Sequence, residues 1–390
     1  MHLSRRIAAI AGNGSDGWEI HYRAQALLAA GTRVLQLTIG EPDTRTDPRI
    51  LAAMHASAVA GNTGYAFGAG KQSLREAVAA RVEARTGVAT TWRNVVITPG
   101  GQAGLFAAHM VLCDAGDRAL HCDPYYATYP GTIRAVGALP VVVPTRSRDA
   151  FEPRGSDISA RAGGARTLLI NSPNNPTGVV YSPATLAAIA EVVCDHGLWL
   201  ISDEVYDTQV WEGRHLSPRA LPGMAERVLV VGSMSKSHAM TGSRLGWVVA
   251  PEPVVAAITL LATNTTYGVP AFIQDAALYA LAQGEAFEAE IAAPFRRRRA
   301  IAARVLAGQT AVRMIPSSGA MYLMLDIRAT GMTGDAFANA LLDAERIAVM
   351  PGESFGQAAA GHLRVAMTLA DAGFEEALTR LVRFAERNMP

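Results

Sequence analysis

Ser233-Met234-Ser235-Lys236-Ser237-His238-Ala239-Met240-Thr241-Gly242-Ser243-Arg244 follows a β-branched run at 228–231 and precedes another at 245–249. The chain holds two lysines against 33 arginines, and one of the two lies in this Ser- and Gly-flanked stretch. Arginine keeps its proton in a protein, so it cannot replace an amine that must deprotonate and attack a carbonyl. An arginine-biased composition would also deplete lysine and leave Lys236 as a surface residue. The neighbouring segments decide between the two readings.

Three hundred and ninety residues suffice for a large core and two to three domains. Half the residues are hydrophobic, 18% are charged and the formal net charge is +1. That balance fits a globular enzyme and argues against electrostatic capture of nucleic acid or an anionic membrane. Cys113, Cys122 and Cys194 are odd in number and lack CxxC spacing, so neither a disulfide framework nor a zinc site is expected. Ile7-Ala8-Ala9-Ile10 is too short for a signal-peptide core, and no unbroken spanning segment follows, so the expected location is cytoplasmic.

Short apolar runs at 94–98, 118–122, 139–143, 167–170, 198–202, 228–231 and 245–249 read as buried strands. Helical patterns at 102–112, 126–136 and 183–196 lie between them, so the expected fold is α/β, a mainly parallel sheet covered on both faces. Long helices follow from 270 to 304, with Arg296–Arg299 expected to face solvent or a second subunit. Strands near 321–325 and 362–366 and a helix at 370–387 complete a smaller αβ region. The expected division is an N-terminal segment 1–45 joining the small domain, a large domain 46–285 and a small domain 286–390.

Five chemistry-bearing pieces occur in order. Thr98-Pro99-Gly100-Gly101-Gln102-Ala103 links a strand to a helix, where exposed backbone N–H groups and the helix dipole make a phosphate seat. Asn171-Ser172-Pro173-Asn174-Asn175-Pro176-Thr177-Gly178 and Ser202-Asp203-Glu204-Val205-Tyr206 each follow a strand. The lysine stretch is fourth and His362-Leu363-Arg364-Val365 is last. Ligands of open α/β sheets bind outside the carboxyl ends of the strands, so most of these pieces can share one crevice.

Taken together, the pieces resemble the class I/II aminotransferases, pyridoxal-phosphate enzymes of the aspartate aminotransferase fold (fold type I). The resemblance runs from Leu37-Thr38-Ile39-Gly40-Glu41-Pro42-Asp43 to the end, nearly the whole chain. It implies that pyridoxal 5'-phosphate is the cofactor, linked as an imine to Lys236, whose freed amine later shuttles the substrate proton. It further implies that Asp203 keeps the pyridine nitrogen protonated and that Asn175 and Tyr206 hydrogen-bond the phenolic oxygen. Tyr126 falls where the family places an aromatic on the ring face. Ser233, Ser235, Arg244 and the Gly100, Gly101 and Gln102 segment would hold the phosphate, and Arg364 the substrate carboxylate, with Gly40 and Asn175 beside it. Tyr65, in Asn62-Thr63-Gly64-Tyr65, resembles the tyrosine that reaches the partner's cofactor across a homodimer interface.

Each residue also has a plainer reading: Asp203 as a strand-end cap, Arg364 as a surface ion pair, Tyr126 as a core aromatic. Five ordered coincidences weigh against those readings jointly. Gly68-Ala69-Gly70-Lys71-Gln72 lacks the glycine spacing and the Ser/Thr of a nucleotide loop, so Lys71 is expected to start a helix over 72–85. Ser243 departs from the family, which often has Trp there, and puts packing beside the phosphate in question.

Within the class, Gly17-Trp18-Glu19-Ile20-His21-Tyr22, Ser237-His238-Ala239-Met240 and the stretches at 267–275 and 326–331 resemble arginine–pyruvate transaminases. A guanidinium donor needs a carboxylate partner when it is buried, and Asp16 and Glu19 are the candidates, with Trp18 beside them. The plainer reading of Glu19 is a solvated residue at the start of a helix over 20–30. The implied partners are an amino acid and a 2-oxo acid such as pyruvate or 2-oxoglutarate. Rival readings are a carbon–sulfur β-lyase, an aromatic or aspartate-type aminotransferase, and a non-enzymatic aminotransferase-like sensor domain. The last is disfavoured because no winged-helix segment is expected before residue 37.

Overall fold

The computed structural model describes residues 4–12 and 17–390. Seven strands form the main sheet, in the spatial order Val95–Thr98, Gly246–Val249, Val228–Ser233, Trp199–Asp203, Ala165–Asn171, Arg118–Asp123 and Leu139–Pro144. Gly246–Val249 runs antiparallel to both neighbours, and the other neighbouring pairs are parallel. The chain order reverses between Arg118–Asp123 and Ala165–Asn171, which opens a crevice at the carboxyl ends.

Alternation of side chains explains why these runs are largely apolar. Ile97, Leu168, Leu200, Val230 and Val249 join one core cluster, while Val96, Leu169, Ile201, Leu229 and Val248 join the cluster on the opposite face. With a period of two, a strand buried on both faces has little place for polar residues until it leaves the sheet, and the mid-strand exceptions Thr167 and His121 are themselves buried. Helices Gln72–Thr86, Pro183–Asp195 and Ala271–Leu281 cover the first face; Gly101–Leu112 and Glu252–Thr263 cover the second.

A four-stranded antiparallel sheet follows, ordered Met350–Pro351, His362–Ala366, Tyr322–Asp326 and Arg313–Met314. Helices Gly284–Val305 and Asp371–Arg387 pack on it around a core that also takes in Ile20, Ala24 and Leu37. The short strand Leu35–Gln36 pairs with Ile347–Ala348, so the N-terminal stretch is fastened to this second body of structure.

Two expectations need correction. The helix expected from 126 begins at Tyr129, because the preceding turn is held by other bonds. The Tyr125 amide donates to the Phe355 carbonyl, and the Asp123 carboxylate accepts from the amides of Gln357 and Ala358. The arginines 296–299 do not all face outward. Arg298 is buried and bonds both Asp43 oxygens (2.8 and 2.6 Å), Asp371 (3.1 Å) and the Met367 carbonyl (2.9 Å). Helical spacing turns 295, 298 and 302 to one face, so Arg298 points inward with Phe295 and Ala302.

Arg298→Leu removes the cation that ties the Gly40–Asp43 turn to the C-terminal helices. It should cost about 2–3 kcal/mol, below the full value for a buried pair because both aspartates reach solvent. The check is the denaturant midpoint of the purified variant, and an unchanged midpoint would contradict this role.

Candidate active site

The carboxyl ends of the parallel strands surround a cavity of about 460 Å³. Asn175, Asp203, Ser233 and Lys236 reach it from the main sheet, Arg364 and Tyr322 from the second sheet, and Trp18 and Gly40 from the N-terminal stretch.

Lys236 sits in the single helical turn Met234–Ser237, which is capped by the Ser233 side chain accepting from the Ser235 amide at 3.1 Å. Its Nζ donates to the Gly40 carbonyl. Burial pushes the Lys236 amine down to about 8; Glu41 opposes that fall, and Arg244 and Arg364 add to it. The other lysine is structural: Lys71 precedes helix Gln72–Thr86 and pairs with Asp275.

Asp203 ends its strand directly beside Asn171. Its Oδ2 accepts from the Tyr129 hydroxyl (2.7 Å) and its Oδ1 from the Val205 amide (3.2 Å). Burial pushes this carboxyl up to about 6 despite both bonds. Tyr206 is buried with its hydroxyl 3.0 Å from that of Tyr322. Tyr126 lines the cavity and meets the Tyr129 ring edge-on, with centroids 5.7 Å apart.

The expected phosphate seat is built by close backbone packing. Gly246 pairs with both Thr98 and Ser233, and a Cβ on it would run into the backbone at Gly100 and Gly101. Gly100 has φ +81°, and a side chain there would strike the Arg244 guanidinium. The first turn of helix Gly101–Leu112 therefore opens beside Arg244, Ser233 and Ser235, all at the cavity. Ser243 belongs to a short turn at Thr241–Ser243, after which Arg244 takes φ +50° and donates to the Thr241 carbonyl at 2.8 Å. The Gln102 side chain does not point to the seat alone: it accepts from Thr128 (2.9 Å) and donates to Thr132 (2.7 Å).

Arg364 is wholly buried, and its hydrogen-bond acceptors are neutral: Asn175 Oδ1 at 3.0 Å and the Thr38 carbonyl. The rings of Phe355, Tyr322 and Trp18 lie 4.4, 4.7 and 5.6 Å from its guanidinium carbon. Its Nε has no hydrogen-bond partner among the described residues. A buried guanidinium is costly without a carboxylate, and none among the described residues hydrogen-bonds it, so this site suits an incoming anion.

Tyr65 and Glu19 are not brought into this cavity. Tyr65 is 95% exposed and leans on Tyr267. Glu19 lines a neighbouring cavity with Asp335 and Glu353, and that cavity shares Trp18, Gln102, Thr128 and Arg244 with the first. Asp16 lies outside the described residues. Sequence reasoning missed Tyr129, Tyr322 and Phe355, which read as ordinary core aromatics, and gave Glu41 no role although it lines the cavity. Among the described residues no cluster of His, Cys, Asp or Glu could hold a metal ion, and no helix is long and apolar enough to cross a membrane.

Residues 32–381 match the family model described as aminotransferase class I and II. The chain belongs to the class I and II aminotransferases. It is 42% identical over 385 residues to an arginine–pyruvate transaminase of Pseudomonas aeruginosa, covering 98% of this chain and 97% of that one. It is 34% identical over 393 residues to the aspartate/prephenate aminotransferase of Thermus thermophilus, covering 99% of each. A solved structure of Thermus thermophilus aspartate aminotransferase with maleate superposes with a TM-score of 0.92 at 32% identity, covering 98% of this chain and all of that one.

Aminotransferases of this class and fold use pyridoxal 5'-phosphate. The residues present fit it. The absence of a side chain at Gly100 lets the Arg244 guanidinium pack against the turn, two serines stand beside it, and the half-buried Lys236 and buried Asp203 face the same cavity.

Reduction of the loaded aminotransferase with borohydride, followed by peptide mapping, should place the pyridoxyl label on Lys236. A label on Lys71 would contradict the assignment. Because the free amine is the reactive form, the rate of cofactor capture by the apoenzyme should climb with pH and level off above about 8. A rate still climbing beyond pH 10 would show that burial does not lower the amine.

Proposed function

We propose that this aminotransferase moves the α-amino group of arginine, or of a related guanidino amino acid, to pyruvate or 2-oxoglutarate. The observation that carries the reading is the 42% identity, along 98% of the chain, to an enzyme named for arginine and pyruvate. Local charge supports it. Glu19, Asp335 and Glu353 line the adjoining cavity, and Asp335 is pushed upward by burial and then by those two glutamates. Arg134 and Arg244 line the same cavity, so it is the side carrying Glu19, Asp335 and Glu353 that would take a cationic side chain. Among the described residues lining the first cavity the cations are Lys236, Arg244 and Arg364, each with a role at cofactor or α-carboxylate. An aspartate-type donor would need a further cation.

When bound, the cofactor supplies an aldehyde carbon for exchange between amines and a ring that takes up the electron pair released at the substrate Cα. Arg364 grips the α-carboxylate in the bidentate manner suited to a guanidinium, with Asn175 holding its NH1. Lys236 Nζ, lowered to about 8, would take the proton from the substrate Cα and deliver it to the cofactor carbon that carried the aldehyde. Asp203 holds a proton on the ring nitrogen, and Tyr206 and Asn175 donate toward the phenolic oxygen. Ser233, Ser235, Arg244 and the first turn of Gly101–Leu112 bind the phosphate. Tyr126 covers one ring face, and Trp18 and Gly40 close the substrate side against water.

The active unit in this reading is a homodimer. Tyr65, Phe67, Leu260 and Tyr267 are exposed apolar side chains, a surface suited to a second copy. Tyr65 would reach the partner's phosphate.

Two experiments test these statements. Arg364→Ala should weaken every donor, whereas Glu19→Gln should lower kcat/KM for arginine by about 1.5–3 kcal/mol and spare alanine and methionine. Wild type that prefers aromatic, branched or dicarboxylic donors would overturn the guanidino reading, and pyruvate with ammonia formed from a cysteine conjugate would favour the lyase. In the second, Lys236→Ala subunits are mixed with Tyr65→Phe subunits. Mixed dimers should regain one site with both native residues and recover activity; no recovery would mean that Tyr65 serves its own subunit.

A further inference from the structure

Asp203 is held by a residue outside the expected site machinery, Tyr129, which lines the same cavity and meets Tyr126 through ring packing and a backbone N–H donated to its carbonyl at 2.9 Å. The Tyr129 hydroxyl donates to Oδ2 at 2.7 Å, and the Val205 amide takes Oδ1 at 3.2 Å. Both oxygens of the carboxylate are thus fixed in orientation, while an ionised carboxylate retains further acceptor sites for a donor in the cavity. Tyr129 is itself locked. It opens helix Tyr129–Ala135, its ring meets Tyr126 edge-on, and Gln102 clamps the same helix through Thr128 and Thr132. Gln102 lies in the first turn of Gly101–Leu112, so the expected phosphate seat and the support of Asp203 share one rigid strut.

We propose that Tyr129 is the positioning residue of Asp203: its hydroxyl keeps that carboxylate ionised and aimed at the ring nitrogen of the cofactor. The proposal rests on the reading of Asp203 as the ring-nitrogen partner. A buried carboxylate with no donor would take up a proton rather than stay charged, and a neutral acid cannot hold a pyridinium. The groups facing Asp203 are Tyr129 and Tyr126 from one side, Tyr206 from its own loop, and the adjacent Glu204. Glu204 pushes the carboxyl further up, so among these groups Tyr129 and the Val205 amide oppose burial. Tyr129 stays protonated, because burial and Asp203 push its phenol well above the usual tyrosine range.

The test measures the affinity of apoenzyme for pyridoxal 5'-phosphate between pH 5 and pH 9 by fluorescence titration, without any turnover. A carboxylate with a folded value near 6 supports binding above that pH and loses it as pH falls through it. Removing the donor raises the carboxyl, so in Tyr129→Phe the loss should begin about one pH unit higher than in wild type, a tenfold change in proton affinity. Replacing Tyr129 by 3-fluorotyrosine, a stronger donor of nearly the same size, should move the loss the other way. That arm decides the matter should the phenylalanine variant fail to fold. Unshifted profiles in the folded variants, with Asp203→Asn abolishing the step, would overturn the role of Tyr129 alone. A step that survives in Asp203→Asn would overturn the reading of Asp203 beneath it.

Discussion

The Arg364 guanidinium is charged, wholly enclosed and hydrogen-bonded to neutral acceptors, and much of the cavity is arranged around that fact. Neutral oxygens and aromatic faces reduce the cost of burying a cation without cancelling its charge. The charge therefore remains available to a substrate carboxylate. It also acts on its surroundings: burial brings the Lys236 amine down to about 8, and Arg244 and then Arg364 add smaller pushes in the same direction. The enclosed Arg364 thus offers its charge to the cavity and also adds to the lowering of the amine beside it.

Holding those cations requires parts from distant places in the chain. Thr38 and Gly40 come from the N-terminal stretch, which pairs with Ile347–Ala348 and is fastened at Asp43 by Arg298. Gly40 accepts from Lys236, and a Cβ there would overlap the Tyr322 hydroxyl, so the glycine permits three segments to meet at one point. Tyr322 in turn touches Arg364 with its ring and Tyr206 with its hydroxyl. The main sheet supplies the lysine and aspartate, while the second sheet supplies Arg364.

Much of this arrangement was legible in the sequence, for identifiable reasons. A strand buried on both faces must be largely apolar, so Val228–Ser233 and its neighbours stand out, and polar residues cluster where each strand leaves the sheet. That is why Asn175, Asp203 and Lys236 could be read together. The supports were hidden by residue type: Tyr129, Tyr322 and Phe355 look like core aromatics until their partners are known. Arg298 was hidden by its neighbours, since four successive arginines suggest a solvated face and only helical phase separates the buried one. The start of Tyr129–Ala135 depends on bonds to Gln357 and Ala358, more than 200 positions away, which no local pattern carries.

In the proposed function an intact amino group passes from a guanidino donor to pyruvate at this charged cavity. Arginine carrying nitrogen-15 at its α-amino group, incubated with the loaded enzyme and pyruvate, tests that claim most directly. The label should appear in alanine, one equivalent for each arginine consumed. Label released as ammonia, or retained in arginine while another donor aminates pyruvate, would contradict it.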